Sequence, residues 1–130
     1  MKAILFALTL TATAASPISL AQQTQKEVLQ DSEKGASLYT SCMEGVRMLD
    51  HPAAKDLDLF GAGSCVAYVA AFRDALSITD KKNVCDDHSL SVGTVVRLYI
   101  AYMAAHPRLM DEYKSVGLYV VFRNEFPCKT

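Results

Sequence analysis

Ala62-Gly63-Ser64-Cys65-Val66-Ala67-Tyr68-Val69-Ala70-Ala71-Phe72-Arg73-Asp74-Ala75-Leu76 is the stretch whose reading decides the fold. Cys65, Val69, Phe72 and Leu76 form one stripe at helical spacing, while Val66, Ala67, Tyr68, Ala70, Ala71 and Ala75 fill most of the remaining surface. A helix apolar nearly all round is buried from several sides, so this one is expected to be the central post of an all-α domain. Arg73 and Asp74, near its C-terminal end, are the exceptions that need water or partners. Tyr68 carries a hydroxyl that must be satisfied if it is buried. Cys65 sits near the start of the helix, and its partner is the key to the topology.

Upstream, Leu38, Cys42, Val46 and Leu49 repeat on one helical face and predict a helix over residues 32–49. His51-Pro52 ends it, because the residue before a proline is pushed out of the helical region. A polar connector, residues 50–58, leads to Gly61-x-Gly63 at the entrance of the central helix. Downstream, residues 77–90 read as the longest irregular stretch. Ser89 or Ser91 then caps a third helix that carries Val92, Val95, Val96, Tyr99, Ile100 and Met103 and stops at His106-Pro107. Asp111 is the expected cap of a fourth, lined by Val116, Tyr119, Val120, Phe122 and Phe126 and ended by Pro127. Residues 22–30 read as polar and loose, with Thr24-x-x-Glu27 as a capping box able to start a helix early. The expectation is a small four-helix domain built of antiparallel hairpins, with no strand.

The first residues have a different character. Met1-Lys2, an apolar run over residues 3–15 and the small-residue site Ser19-Leu20-Ala21 together describe a secretory signal peptide, residues 1–21. The run is shorter than the ~20 residues of a membrane span, so no membrane attachment is expected after cleavage. The mature chain, residues 22–130, suits a single domain. Without Lys2 it carries 12 basic and 14 acidic side chains. Its basic residues are scattered, with no stripe interleaved with aromatics, which excludes a nucleic-acid footprint.

Cys42, Cys65, Cys85 and Cys128 all lie in the mature part, and an even number of cysteines in a small exported chain reads as two disulfides. Helix geometry selects the pairing. Cys42 lies seven residues before the end of its helix and Cys65 seven residues after the start of the next. In an antiparallel hairpin each then stands about 10 Å from the turn, at 1.5 Å per residue. The third and fourth helices are of similar length, which brings Cys85 to Cys128. The expected bonds are Cys42–Cys65 and Cys85–Cys128, together with an oxidising compartment.

No catalytic constellation emerges. Cys85-Asp86-Asp87-His88 has the residue types of a metal cluster, but adjacent loop residues rarely converge on one ion and the thiol is expected to be oxidised. The same argument disfavours a cysteine nucleophile paired with His88. Gly61-Ala62-Gly63 lacks the preceding strand and following lysine of a phosphate loop, so a turn or close packing is the better reading. His51 and His106 are placed to cap helix ends. Neither a cofactor nor a metal is expected, and the chain reads as a non-enzyme.

A set of short matches in a fixed order then identifies a relative. They are Leu38 and Cys42 on the first helix; Cys65-x-x-Tyr68-x-x-Ala71-x-x-Asp74-Ala75; the loop cysteine Cys85; Ser91-Val92-Gly93; Tyr102-x-x-x-His106-Pro107; and Phe126-Pro127-Cys128. Behind a signal peptide, this pattern resembles the Rap/Tai immunity proteins, which protect bacteria against the amidase effectors of type VI secretion. The chain departs from the family pattern at Ala71, where glycine is usual, at Asp86, where proline is more frequent, and at Thr94, where glutamine is common. The resemblance implies an exported all-helical inhibitor, often a homodimer, that binds a peptidoglycan amidase in the periplasm and blocks its cysteine-histidine site.

The rival from another class is a small periplasmic chaperone of the acid-stress kind, against which the absence of lysine-rich tails speaks; an enzyme comes third. An inhibitor needs a protruding segment free of the core, and residues 80–88 are the first candidate. Asp80, Lys82, Asp86, Asp87 and His88 are the expected partner-binding residues, their acids facing basic groups of the hydrolase. The connector, residues 50–58 with His51, Lys55 and Asp56, is the alternative.

Overall fold

Where the sequence promises a post apolar on all sides, the fold contains a one-sided helix. The structure, a computed structural model, describes residues 18–86 and 88–128. Among them the chain forms α1 (Ile18–Ser32), α2 (Gly35–Asp50), α3 (Leu59–Thr79), α4 (Val92–Ala105) and α5 (Lys114–Glu125), with a 3-10 turn at Pro107–Met110. Residues 1–17 of the expected signal peptide lie outside the described residues. The all-α expectation holds, with one helix more than the four expected. Residues 22–30, read as loose, belong to α1, which packs on α2 and accepts from Lys114 of α5 at its last residue, Ser32.

The post is α2, which touches every other helix. Its Gly35 lets the start of the helix close on the 3-10 turn, since a Cβ there would stand 2.4 Å from the Leu109 carbonyl oxygen. The Gly35 N–H donates to the Glu112 carbonyl at 2.8 Å, and Tyr99 donates its hydroxyl to the Gly35 carbonyl at 3.3 Å. Burial pushes the ionisation of that Tyr99 hydroxyl up, so it stays a neutral donor.

α3 buries Gly61, Ala62, Cys65, Val69, Arg73 and Leu76. Its outer face leaves Phe60, Gly63, Ala67, Ala71, Ala75 and Ile78 exposed, Phe60 by 86% and Ile78 by 75%. This corrects the expectation of burial from several sides: alanines are apolar but small, and one partner layer suffices. α3 is also long and apolar enough, by length and composition, to cross a membrane. Its buried stripe instead faces the core of Tyr99, Met103, Leu118, Val121 and Phe122. Phe72, half-buried, meets Phe122 with ring centroids 6.2 Å apart.

The caps show why the helices begin and end where they do. Asp58 accepts from the Gly61 N–H at 2.9 Å and so opens α3. Ser91 accepts from the Thr94 N–H at 3.2 Å and opens α4. The expected cap of the last helix is corrected: α5 begins after Tyr113, and Asp111 instead ends the 3-10 turn. Residues 77–79, expected to be irregular, extend α3, with Ser77 and Thr79 returning their hydroxyls to the Asp74 and Ala75 carbonyls. His106 closes α4 with its ring on the Tyr102 carbonyl, 2.8 Å away, and stacked on the Tyr102 ring.

Disulfides join Cys42 to Cys65 and Cys85 to Cys128, with Cα separations of 5.0 and 4.8 Å. The first ties α2 to α3 inside the core, where both cysteines are fully buried. The second ties the loop after α3 to the end of the chain at the surface.

Candidate functional site

Residues 80–90, between α3 and α4, are held to the domain at Asp80, Val84, Cys85, Asp86 and Leu90. Asp80 ends α3: its carboxylate accepts from the Tyr119 hydroxyl of α5 at 2.8 Å and from the Asn83 side-chain amide at 2.6 Å. That hydrogen bond to Asp80 raises the pKa of Tyr119. Val84 is buried, and the Cys85 N–H donates to the Phe126 carbonyl at 2.9 Å beside the Cys85–Cys128 bond.

Asp86 then turns inward. Its side chain is 4% exposed and meets Arg73, itself 5% exposed, in a two-pronged pair: Arg73 Nε donates to Oδ2, and Nη2 donates to Oδ1 at 2.7 Å. A third guanidinium nitrogen, Nη1, donates to the Leu90 carbonyl at 2.8 Å. Burial opposes ionisation of Asp86. The Arg73 hydrogen bonds, the His88 N–H and the nearby positive charge outweigh it, and the carboxyl is held below its ordinary range. His88 stands exposed at the turn with φ 58°, its N–H on Asp86 Oδ1 at 2.9 Å.

The expected partner-binding residues thus divide. Lys82 and His88 face solvent, while Asp80 and Asp86 hold the loop from within. Asp87 lies outside the described residues. Arg73, expected to need water or a partner, is buried, and its partner Asp86 is what the sequence did not indicate. The signal of that burial is in the spacing: Ala62, Cys65, Val69, Arg73 and Leu76 form one three-and-four stripe, so the arginine occupies a core-facing position. An arginine there requires a buried carboxylate.

The alternative protrusion is built differently. Residues 51–58 carry Asp56, paired with Arg47 at 2.6 Å in the open, and His51 and Lys55 are exposed. Between α2 and α3 lies a shallow groove of about 300 Å³ lined by Ser37, Ser41, Ser64, Tyr68 and Lys114. Lys114 is already engaged by Glu33 at 3.1 Å. Among the described residues no three His, Cys, Asp or Glu side chains gather as a metal set.

The family of Rap1a immunity proteins matches residues 34–128, from the turn before α2 to the last cysteine. The chain belongs to the Rap1a immunity protein family. The matched span contains both disulfides, the Arg73–Asp86 pair and the whole 80–90 loop, so the Rap1a domain is the four-helix unit α2–α5, and α1 lies outside it. No curated protein and no solved structure matches the chain.

Proposed function

We propose that this chain is a periplasmic immunity protein that binds a peptidoglycan amidase effector of type VI secretion and blocks its active cleft. The observation that carries the reading is membership of the Rap1a family over residues 34–128, which span the entire anchored loop. Export fits two disulfides that need an oxidising compartment, and cleavage after Ala21 releases residues 22–130. The inhibitor does no chemistry of its own: it occupies the cleft with the 80–88 segment, where Lys82 and His88 stand exposed. A loop already ordered before binding loses little freedom on docking.

The homodimer belongs to the same proposal. The outer face of α3, with Ala67, Ala71 and Ala75 flanked by exposed Phe60 and Ile78, lets a second copy approach closely. Light scattering of wild type and Ala71→Glu tests it: a dimer converted to a monomer supports that face, and a dimer in both removes it.

The function is tested by searching the adjacent genes for a small cysteine-histidine amidase, adding the oxidised mature protein to it and following release of peptide from purified sacculi. Stoichiometric loss of hydrolysis is expected. Undiminished hydrolysis at excess protein would overturn the proposal.

A further inference from the structure

We infer that Arg73 is a positioning residue for the effector-contacting loop: from inside the domain, one guanidinium fixes both ends of the turn that presents His88. The inference rests on the proposed reading of residues 80–88 as the contact segment.

The guanidinium is planar and rigid, with five N–H donors in a fixed fork. Here it grips the chain at two places four residues apart, the Asp86 carboxylate and the Leu90 carbonyl. Two points held on one small plane cannot separate, so Asp86 and Leu90 are fixed relative to each other. His88 closes that turn from within, by its N–H on Asp86 Oδ1 and its left-handed φ of 58°. Nothing apolar between Asp86 and Leu90 is buried to do this job. Val84 and the Cys85–Cys128 bond anchor only the side before Asp86. On the side after it, Arg73 holds the Leu90 carbonyl.

Stability alone is a poor reason for this pair. A buried ion pair replaced by well-packed apolar residues of similar volume is often neutral or stabilising, because desolvation offsets the attraction. Arg73 sits on the stripe of Val69 and Leu76, where an apolar side chain would serve the core equally well. What an apolar side chain would not supply is a directional hold on two loop groups at once.

The double variant Arg73→Met/Asp86→Leu separates the two roles, because it keeps apolar packing and leaves no unpaired charge. The measurements are thermal unfolding, hydrogen exchange at His88 and Ser89, and affinity for a cysteine-histidine amidase that the wild type inhibits, its nucleophilic cysteine replaced by alanine. Exchange is read beside Arg73→Met/Asp86→Asn, which keeps an acceptor oxygen for the His88 N–H. Expected are a midpoint close to wild type, exchange faster by about tenfold or more, and affinity weaker by a similar factor, as a loop that must be ordered on binding costs affinity. Arg73→Lys, which keeps the charge and loses the fork, should fall between. His88→Ala reports separately on the contact. If His88→Ala weakens binding and the double variant neither binds more weakly nor exchanges faster, the positioning role is overturned and the contact reading stands. If neither alters affinity while wild type still binds, the loop is not the contact, and the inference falls with that reading.

Discussion

The two long connections of this domain carry similar side chains and hold them in opposite ways. Residues 51–58 place their charges in water, where Asp56 meets Arg47 and both remain well exposed. Residues 80–90 bring a charge indoors, where Asp86 and Arg73 are each about 5% exposed or less. An exposed pair is screened and must immobilise two long side chains, so it fixes little. A buried pair is costly unless its geometry is satisfied, and for that reason it dictates geometry. The first connection is a solvated turn hung between two helices. The second is a loop with a defined shape.

The largest effects should come from the two disulfides, one in the core and one at the base of the second connection. In the loop-entropy account Cys42–Cys65 and Cys85–Cys128, closing separations of 23 and 43 residues, contribute about 3.5 and about 4 kcal/mol. Replacing Cys42 and Cys65 by alanine should lower the whole unfolding transition in urea, since it also removes packing from the core. Replacing Cys85 and Cys128 should also release the loop, read as faster hydrogen exchange at the amides of residues 84 and 85, which donate to Asp80 and Phe126. Slow exchange at those amides in the second variant would mean that Val84 and Arg73 hold the loop unaided.

Next is Asp86→Ala, which strands the Arg73 guanidinium. Breaking one partner of a buried pair costs about 3–5 kcal/mol, limited here by how far the loop opens to let water reach Arg73. Urea unfolding measures it. A loss no larger than that of a surface substitution would show that Arg73 hydrates freely and would erase the contrast between the two connections.

The pH dependence has a definite sign. Asp86 is held below its ordinary carboxyl range in the folded protein, so its contribution is complete above the unfolded value. It is lost as pH falls from about 4 through the lower folded value. The stability difference between wild type and Asp86→Asn should be constant from neutral pH to about 5 and shrink below 4. A difference that shrinks between neutral pH and 5 would contradict a lowered carboxyl.

Much of this architecture is legible from sequence because its signals are local. His51-Pro52 and His106-Pro107 stop helices, Ser91 caps α4, and helix lengths alone bring each cysteine to its partner. Beyond the boundary and cap shifts at residues 77–79 and Asp111, three features escape, each for a physical reason. α3 looks buried all round because Ala67, Ala71 and Ala75 count as apolar, yet they offer little area to bury. α1 lacks an apolar stripe, with Val28 and Leu29 exposed, so no periodicity announces it. The partner of Arg73 escapes because it lies 13 residues away in a loop, and no helical spacing links the two. Yet an arginine in register with Cys65, Val69 and Leu76 is itself the trace of a buried carboxylate.

The smallest effect belongs to the solvated connection, residues 51–58. Asp56→Ala removes the partner of Arg47, which retains Glu44 at 3.5 Å. The carboxyl of Asp56 is lowered chiefly by its hydrogen bond with Arg47, but neither group is removed from water. Arg47 therefore stays solvated when Asp56 is lost, and no measurable change in the unfolding midpoint is expected. The affinity for the amidase should also be unchanged, because residues 51–58 hold no side chain in a fixed outward position through a buried anchor. A loss of affinity with stability intact would make the solvated connector the contact surface. The ordered 80–90 loop would then be a structural strap, and order before binding would no longer mark where this inhibitor meets its target.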